Sequence, residues 1–530
     1  MQRPLGAQIS HMLKDSGVDV IFGIPGVHNQ EMYRGIEEAG ITHVLARHEQ
    51  GAGFMADGYA RATGKPGVAY VITGPGLCNI MTPMGQAYSD SVPMLVISSC
   101  LDEVAARQGQ LHQMKDQRAA AETVCDWSEQ AQTAEAAYAL VNRAFAEFQA
   151  QSPLPKHIQV PIAQLVADAD PAPSAPRAMR LHAVDPRDVA TAARKIKRAQ
   201  RPLFVFGGGA ASAGGPNGPA RAVLARSQAV SFTSYAGRGI VSPDDALHLG
   251  ASLARPGSSD VLAQADLAVF VGTDLAEVDL WREDPGHLCP AIHVNLDPKV
   301  LARARAADDV HQADAVVWLT ELATALEAEP ATTDWNAEEV ASIRARWRAE
   351  TDAERPGIVP ICDALRDSVP SDTMIYSDMT QFAYVAKEVW DMEHPGHWHH
   401  PYGFGTLGYA TPAAIGGAVA RRGQPTMAII GDYGFHYTMQ ELGVAVELGL
   451  PLPIILWDNG KLKEIEDSMV RAQIAPNAVV AQNPDFCKLA EAFGARAAAP
   501  KSLEALQNAV TEAFAAQGPT LIYITPELTE

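Results

Sequence analysis

Apolar and polar positions switch between two periods along the chain. GAQISHMLKDSGV has apolar residues at helical spacing, and VDVIFGIPG is a short apolar run stopped by Gly and Pro. PGVAYVITGPG and PMLVISSC repeat the pattern of a buried strand ending in a turn, with the helix-like NIMTPMGQAYSDS between them. Strands alternating with helices predict a parallel, doubly wound sheet over residues 1–167. The Pro-, Ala- and Asp-rich stretch at 168–180 reads as a linker. A second α/β unit, 181–328, carries the strand-like RPLFVFGGGAA, ADLAVFVGTDL and AIHVNLDP. A second boundary falls near 326–356, where EAEPATTDWNAEE has no strand pattern. The third unit, 355–530, again shows buried strands: DTMIYSD, TMAIIGDYG, LPIILWDNG and TLIYITPE. The expected fold is therefore α/β, with three doubly wound, mostly parallel-sheet domains. No short-period repeat is visible, although the first and third units could be copies of one fold.

Length agrees with this division, since 530 residues at roughly 150 per domain give about three. A hydrophobic share of 47% and a charged share of 19% are those of a globular protein. The net charge of −21 disfavours nucleic acid or an anionic membrane as partner, because both want a basic face. The six cysteines (Cys78, Cys100, Cys125, Cys289, Cys362 and Cys487) form no CxxC pair, so neither a zinc site nor a disulfide framework is expected. MQRPLGAQIS lacks the form of a secretory signal, and no uncharged apolar run reaches the ~20 residues of a membrane span, so the expected location is cytoplasmic.

Candidate chemistry is densest in the third unit. The apolar run TMAII ends in Gly431-Asp432-Tyr433-Gly434, a helical segment follows, and PIILW ends in Asp458-Asn459-Gly460. Asp432 and Asn459 thus fall at neighbouring strand ends, on the carboxyl edge where open parallel sheets bind ligands. A carboxylate, an amide oxygen and a backbone carbonyl suit a hard cation such as Mg²⁺, which keeps its other positions for phosphate oxygens. Glycine turns let backbone N–H groups approach those phosphates. Read without its neighbours, each motif is equally an ordinary turn.

The arrangement resembles the GDG…NN signature of thiamine diphosphate enzymes of the pyruvate decarboxylase and acetolactate synthase superfamily. The resemblance implies Asp432, Asn459 and the carbonyl of Lys461 as metal ligands, with Gly431, Tyr433, Gly434 and Leu462 against the cofactor. Two positions depart from the signature: Tyr433 stands where the family has Gly, and Asp458 where it has Asn. The block from Arg47 through His48-Glu49 to Arg61, RHEQGAGFMADGYAR, is similar to the family's second motif. By that likeness Glu49 meets N1′ of the aminopyrimidine and promotes the tautomer that deprotonates thiazolium C2, a role that needs a carboxyl held in an apolar cleft. In YGFGTLGYATPAAIG, Leu407 takes the position of the wedge beneath the bent cofactor, and the carbonyl of Gly405 accepts from its 4′-amino group.

Smaller segments complete the expected site. GIPGVHN places Pro25 and Gly26 at the cofactor and His28 where it could donate to substrate or return a proton to the reacting carbon. TGPG with Asn79 places Thr73, Gly76 and Asn79 against the cofactor, and HQMKDQ offers Gln113 to the substrate. After Asn459, positions Glu464, Ile465 and Ser468 line the substrate cleft by the same likeness. Glu464 and Ser468 are i and i+4 and share a helix face. A carboxylate there suits a cationic tail, since a guanidinium pairs with it in two-pronged geometry.

Across nearly the whole chain the motifs look most like 2-ketoarginine decarboxylase-type proteins, which act on 5-guanidino-2-oxopentanoate. The reading is a thiamine diphosphate- and Mg²⁺-dependent, non-oxidative decarboxylase of a 2-oxo acid, here a basic one. The alternatives are an acetolactate synthase-like carboligase and a catalytically silent cofactor-binding subunit. Gly207-Gly208-Gly209 after a central strand is weak as a nucleotide signal, and FAD is not expected. The resemblance further implies at least a homodimer, and a homotetramer as a pair of dimers, with active sites between subunits.

Overall fold

In the computed structural model, which describes residues 1–103, 107–173, 184–326 and 331–529, the chain builds three parallel sheets covered by helices. The first unit holds β1 (Arg3–Pro4), β2 (Val20–Gly23), β3 (Thr42–Leu45), β4 (Gly67–Val71), β5 (Met94–Cys100), β6 (Trp127–Gln130), β7 (Lys156–Pro161) and β8 (Asp168–Ala169). Strands β2 to β7 form one parallel sheet in the order β3-β2-β4-β5-β7-β6. The central unit holds β9 (Pro202–Phe206), β10 (Val230–Thr233), β11 (Leu267–Val271), β12 (Ala291–Asn295) and β13 (Asp309–Gln312), in the order β10-β9-β11-β12-β13. The third holds β14 (Met374–Ser377), β15 (Trp398–His399), β16 (Thr426–Gly431), β17 (Pro453–Trp457), β18 (Arg496–Ala498) and β19 (Thr520–Ile524), in the order β15-β14-β16-β17-β19-β18. Counted from its own first strand, the six-stranded sheet of the first unit and that of the third share one order, 2-1-3-4-6-5.

One stretch differs from the sequence expectation, and a second, expected only to lack a strand, gains a definite form. The Asp168–Ala169 segment, read as the start of a linker, pairs antiparallel with Arg3–Pro4 and ties the end of the first unit to its beginning; residues 174–183 of that stretch lie outside the described residues. The second boundary holds a long helix, Ala337–Glu354, whose Val340 and Trp347 join the core of the central unit. Trp347 packs on Phe232 with ring centroids 6.1 Å apart. Charged residues between those few apolar positions hide the helix from a strand-seeking eye.

The first and third units meet through the helices Glu49–Thr63 and Ala410–Ala420. A Cβ at Gly58 would stand 2.0 Å from the carbonyl oxygen of Ala413, and one at Gly416 would stand 1.9 Å from that of Met55. Backbone meets backbone there, which only glycine allows. Beside this crossing lies a buried charge cluster. Arg61 donates from Nε to Asp57 at 2.6 Å and from Nη2 to Asp90 at 2.8 Å. The Tyr409 hydroxyl donates to Asp57 at 2.7 Å. Asp90 accepts the Gly403 N–H at 2.8 Å, so the cluster fastens the first unit to the segment expected to carry the wedge. No helix among the described residues is long and apolar enough to cross a membrane.

Candidate active site

Strand β16 ends at Gly431, and the helix Asp432–Thr438 starts at the next residue, without a connecting loop. Asp432 is therefore at a helix N-terminus on the carboxyl edge of the third sheet, next to the end of β17, where Asp458 and Asn459 follow Trp457. Asn483 spans the two ends: its amide donates to Asp432 at 2.8 Å and to Asp458 at 2.9 Å. Burial raises the proton affinity of Asp432, with the carboxylate of Asp458 adding to the rise and the Asn483 amide opposing it. A divalent cation would relieve that pressure. The oxygen donors of Asp432, Asn459 and the adjoining backbone fit a hard ion better than a soft one. Among the described residues no trio of His, Cys, Asp or Glu gathers as a metal cage.

Both departures from the signature have structural accounts. Tyr433 lies in the first turn of the helix Asp432–Thr438 and takes no left-handed conformation, so its backbone does not require glycine. The close approach falls instead on Gly434, where a Cβ would meet Asp378 Oδ1 at 3.0 Å. Asp458 accepts from the Gly460 N–H at 2.8 Å, from Asn483, and from the Tyr523 hydroxyl at 3.0 Å. An Asn at 458 could accept these bonds through one oxygen only; the carboxylate spreads them over two.

Glu49 opens the helix Glu49–Thr63, capped by the His48 ring, whose Nδ1 accepts the Gln50 N–H at 3.1 Å. Its carboxylate is buried and accepts from Asn79 Nδ2 at 2.9 Å. A Cβ on Gly76 would lie 3.5 Å from the other carboxylate oxygen. Three expected residues, Glu49, Gly76 and Asn79, thus form one cluster. Thr73 is buried nearby, with its hydroxyl 2.8 Å from that of Ser99. Gln113 bonds within its own loop, accepting from Gln110 N–H and donating to the Arg107 carbonyl at 2.8 Å. Gln117, four residues on, reaches the TGPG turn by accepting the Gly74 N–H at 2.9 Å.

His28 faces a residue the sequence reading passed over. Its ring lies 5.0 Å from that of His112, edge to face, and the Nδ1 atoms of both are buried without a hydrogen-bond partner among the described residues. Desolvation and then His112 lower the proton affinity of His28, while Asp102 opposes them. His112 has φ of +62°, in the left-handed region that a non-glycine residue rarely adopts. Pro25 is exposed, and Gly26 presses on Ile72, with its N–H held by Asn29 at 2.8 Å.

Gly405, with φ of +66°, has among the described residues only the end of Met379 within contact range of a built Cβ, at 3.5 Å, and Leu407 two residues on is half-buried. Asp378, also passed over, shapes that loop. It is fully buried at the end of β14 and accepts from the N–H groups of Gly408 at 3.3 Å and Ala410 at 3.1 Å. Burial pushes its carboxyl up to about 6.

Beyond Asn459 the chain runs through Lys461 and Leu462, whose N–H donates to the Val479 carbonyl at 2.8 Å, into the helix Lys463–Arg471. Glu464 is gripped by Arg355, which donates from Nε at 2.9 Å and from Nη2 at 3.1 Å. Gln381 donates to the same carboxylate at 2.9 Å and accepts from Asn459 Nδ2 at 3.2 Å. Ile465 and Ser468 are exposed. Glu466 and Asp467 pair with Lys461 and Lys463, as expected of a solvated helix face.

Among the described residues, the half-site around Glu49 and that around Asp432 share no hydrogen bond within the chain. Exposed apolar side chains flank both halves: Val27 and Leu111 beside the first, Phe404, Tyr437, Ile465 and Val470 beside the second.

Comparison with known proteins agrees with the geometry. Residues 3–120 match the family described as thiamine pyrophosphate enzyme, N-terminal TPP binding domain; residues 189–322 match its central domain; residues 378–524 match its C-terminal TPP binding domain. The chain is similar to the probable 2-ketoarginine decarboxylase of Pseudomonas aeruginosa, 40% identical over 98% of this chain and 93% of that protein. It is also similar to the large subunit of acetolactate synthase isozyme 2 of Escherichia coli, 28% identical over 98% and 95% of the two chains. The mitochondrial acetolactate synthase catalytic subunit of Saccharomyces cerevisiae is 27% identical over 98% and 80%. Three family domains in order, on three parallel sheets with the motif residues clustered at strand ends, place this chain in the thiamine pyrophosphate enzyme family.

Proposed function

We propose that the protein is a Mg²⁺-dependent thiamine diphosphate decarboxylase of a basic 2-oxo acid, with 5-guanidino-2-oxopentanoate as substrate and 4-guanidinobutanal and CO₂ as products. The observation that carries the substrate class is Glu464. One hydrogen-bonded residue, Gln381, separates it from Asn459, and its carboxylate already accepts a guanidinium in two-pronged fashion. Similarity to the Pseudomonas protein supports the same choice. The cofactor supplies the electron sink for decarboxylation. Asp432, Asn459 and the Lys461 carbonyl hold its metal; Glu49 shuttles the proton at the aminopyrimidine; His28, with Gln113 on the neighbouring loop, serves the substrate. The site is completed between two copies of the chain, in a homodimer at least and a homotetramer as a pair of dimers, an assembly that would cover exposed apolar side chains such as Val27, Leu111 and Phe404.

Turnover should be at least roughly tenfold more efficient with 5-guanidino-2-oxopentanoate than with pyruvate or benzoylformate, the gain of one charge-assisted pair. Steady-state assays with product analysis check this. Acetolactate from pyruvate as the only product would establish the carboligase instead, a reading that the similarity to acetolactate synthases keeps in play. Asn483→Ala should weaken Mg²⁺-dependent cofactor binding by about 10–100-fold, as loss of an outer partner of a ligand does. Titrating Mg²⁺ while following tryptophan fluorescence measures it, and an unshifted midpoint would remove Asn483 from the site.

A further inference from the structure

Arg355 is the residue that ends the helix Ala337–Glu354, at the passage from the central unit to the third. Its guanidinium lies 5.9 Å from the ring centre of Tyr384 and takes two of the acceptor positions of Glu464. Gln381 takes a third. Both charged side chains remain accessible, at 24% for Arg355 and 29% for Glu464. So the carboxylate best placed to receive a cationic tail is neutralised within the chain by a cation of the same chemical type as that tail. A second guanidinium approaching the intact pair would gain little attraction and would meet the charge of Arg355.

We infer that Arg355 is a specificity-determining residue, an internal stand-in that holds Glu464 in place and gives it up to the guanidinium of the substrate. This rests on the proposed substrate class. The exchange is feasible because the pair stays within reach of solvent and the incoming guanidinium restores the two bonds it breaks. Arg355 has a second acidic neighbour: its Nη1 lies 3.6 Å from Glu354, whose carboxylate it would share with Arg255. Gln381 stays on Glu464 throughout, so Asn459 keeps its own bond while the tail binds.

The experiment compares 5-guanidino-2-oxopentanoate with 2-oxo-5-ureidopentanoate, whose tail has nearly the same shape but no charge. In Arg355→Met the competitor is gone, so KM for the guanidino substrate should fall by roughly threefold or more, with KM for the ureido substrate unchanged. In Glu464→Gln the preference between the two should vanish. Calorimetric binding of 4-guanidinobutanoate, which cannot be decarboxylated by this route, should tighten in Arg355→Met in parallel, and thermal melting checks that the variant is folded. If the wild-type enzyme does not prefer the guanidino substrate, the proposed substrate class falls, and the stand-in with it. If the wild type prefers it and Arg355→Met leaves the preference unchanged or reduces it, the stand-in alone falls. An equal loss with both substrates would mean that Arg355 grips the carboxylate common to all 2-oxo acids.

Discussion

Glu49→Gln slows exchange of the cofactor's C2 proton by roughly 10²–10⁴-fold, the share that a placed acid–base group contributes. The substitution is close to isosteric, so cofactor affinity should change by no more than a few-fold. Glu49 accepts one bond from Asn79, and an amide oxygen can accept it equally well. The helix start is held independently. Glu441, from the third unit, accepts the Arg47 N–H at 3.1 Å and fills the space a Cβ on Gly51 would take. The loss would therefore be one of proton transfer and not of position. Quenched-flow exchange followed by NMR on saturated enzyme separates the two, and unchanged exchange would take Glu49 out of the role. Glu49→Asp keeps the acid but shortens its reach, and should lie between Gln and the wild type.

That Glu49 could be singled out from sequence shows where the chain is legible. The strands foreseen (β2, β4, β5, β9, β11, β12, β14, β16, β17 and β19) lie inside their sheets and read as mostly apolar runs. Those missed include all six edge strands of the three parallel sheets. THVL, WSEQ, VSFT, DVHQ, WH and RAA are short and half-polar, because an edge strand has one neighbour and less to bury. The missed inner strand, β7, is KHIQVP, and its polar residues are buried with partners from other elements. Lys156 reaches Asp126 at 3.2 Å and Glu147 at 3.3 Å, and His157 sits between the hydroxyls of Ser98 and Ser128. No periodicity announces a buried lysine whose counter-ions come from elsewhere.

The site divides along the same line. Candidate residues set by backbone shape or a strand end, such as Gly76, Asp432 and Asn459, belong to motifs and could be proposed from sequence. Residues that act by closing a contact from a distant segment, such as Asn483, Asp378, His112 and Arg355, could not. Asn483 and Arg355 come from stretches with no motif at all, and what makes them part of the site is only where the fold brings them.

Arg61→Met should destabilise the protein by about 3–5 kcal/mol, the cost of removing one partner from a buried ion pair. Arg61 is the single cation between Asp57, whose side chain is fully buried, and Asp90, which is 4% exposed. With the guanidinium gone, Asp57 keeps the Tyr409 hydroxyl, and Asp90 keeps the Gly403 N–H and the Gln86 amide at 2.8 Å. Hydrogen bonds remain, but no positive charge faces either carboxylate within the cluster. Desolvation already raises the proton affinity of Asp90 against the pull of Arg61, so losing Arg61 raises it further. A carboxyl that binds its proton more tightly folded than unfolded costs stability as pH rises through that range. The deficit in melting temperature should therefore be larger near pH 7 than near pH 5, a dependence that mere loss of packing would not produce. Asp57→Ala combined with Arg61→Met should cost less than the sum of the two single changes, because the double variant leaves one buried carboxylate instead of two. Since Asp90 also holds the N–H of Gly403, ahead of Leu407, the single variant should loosen the wedge segment before it unfolds the domains, lowering cofactor affinity at temperatures where the fold is still intact.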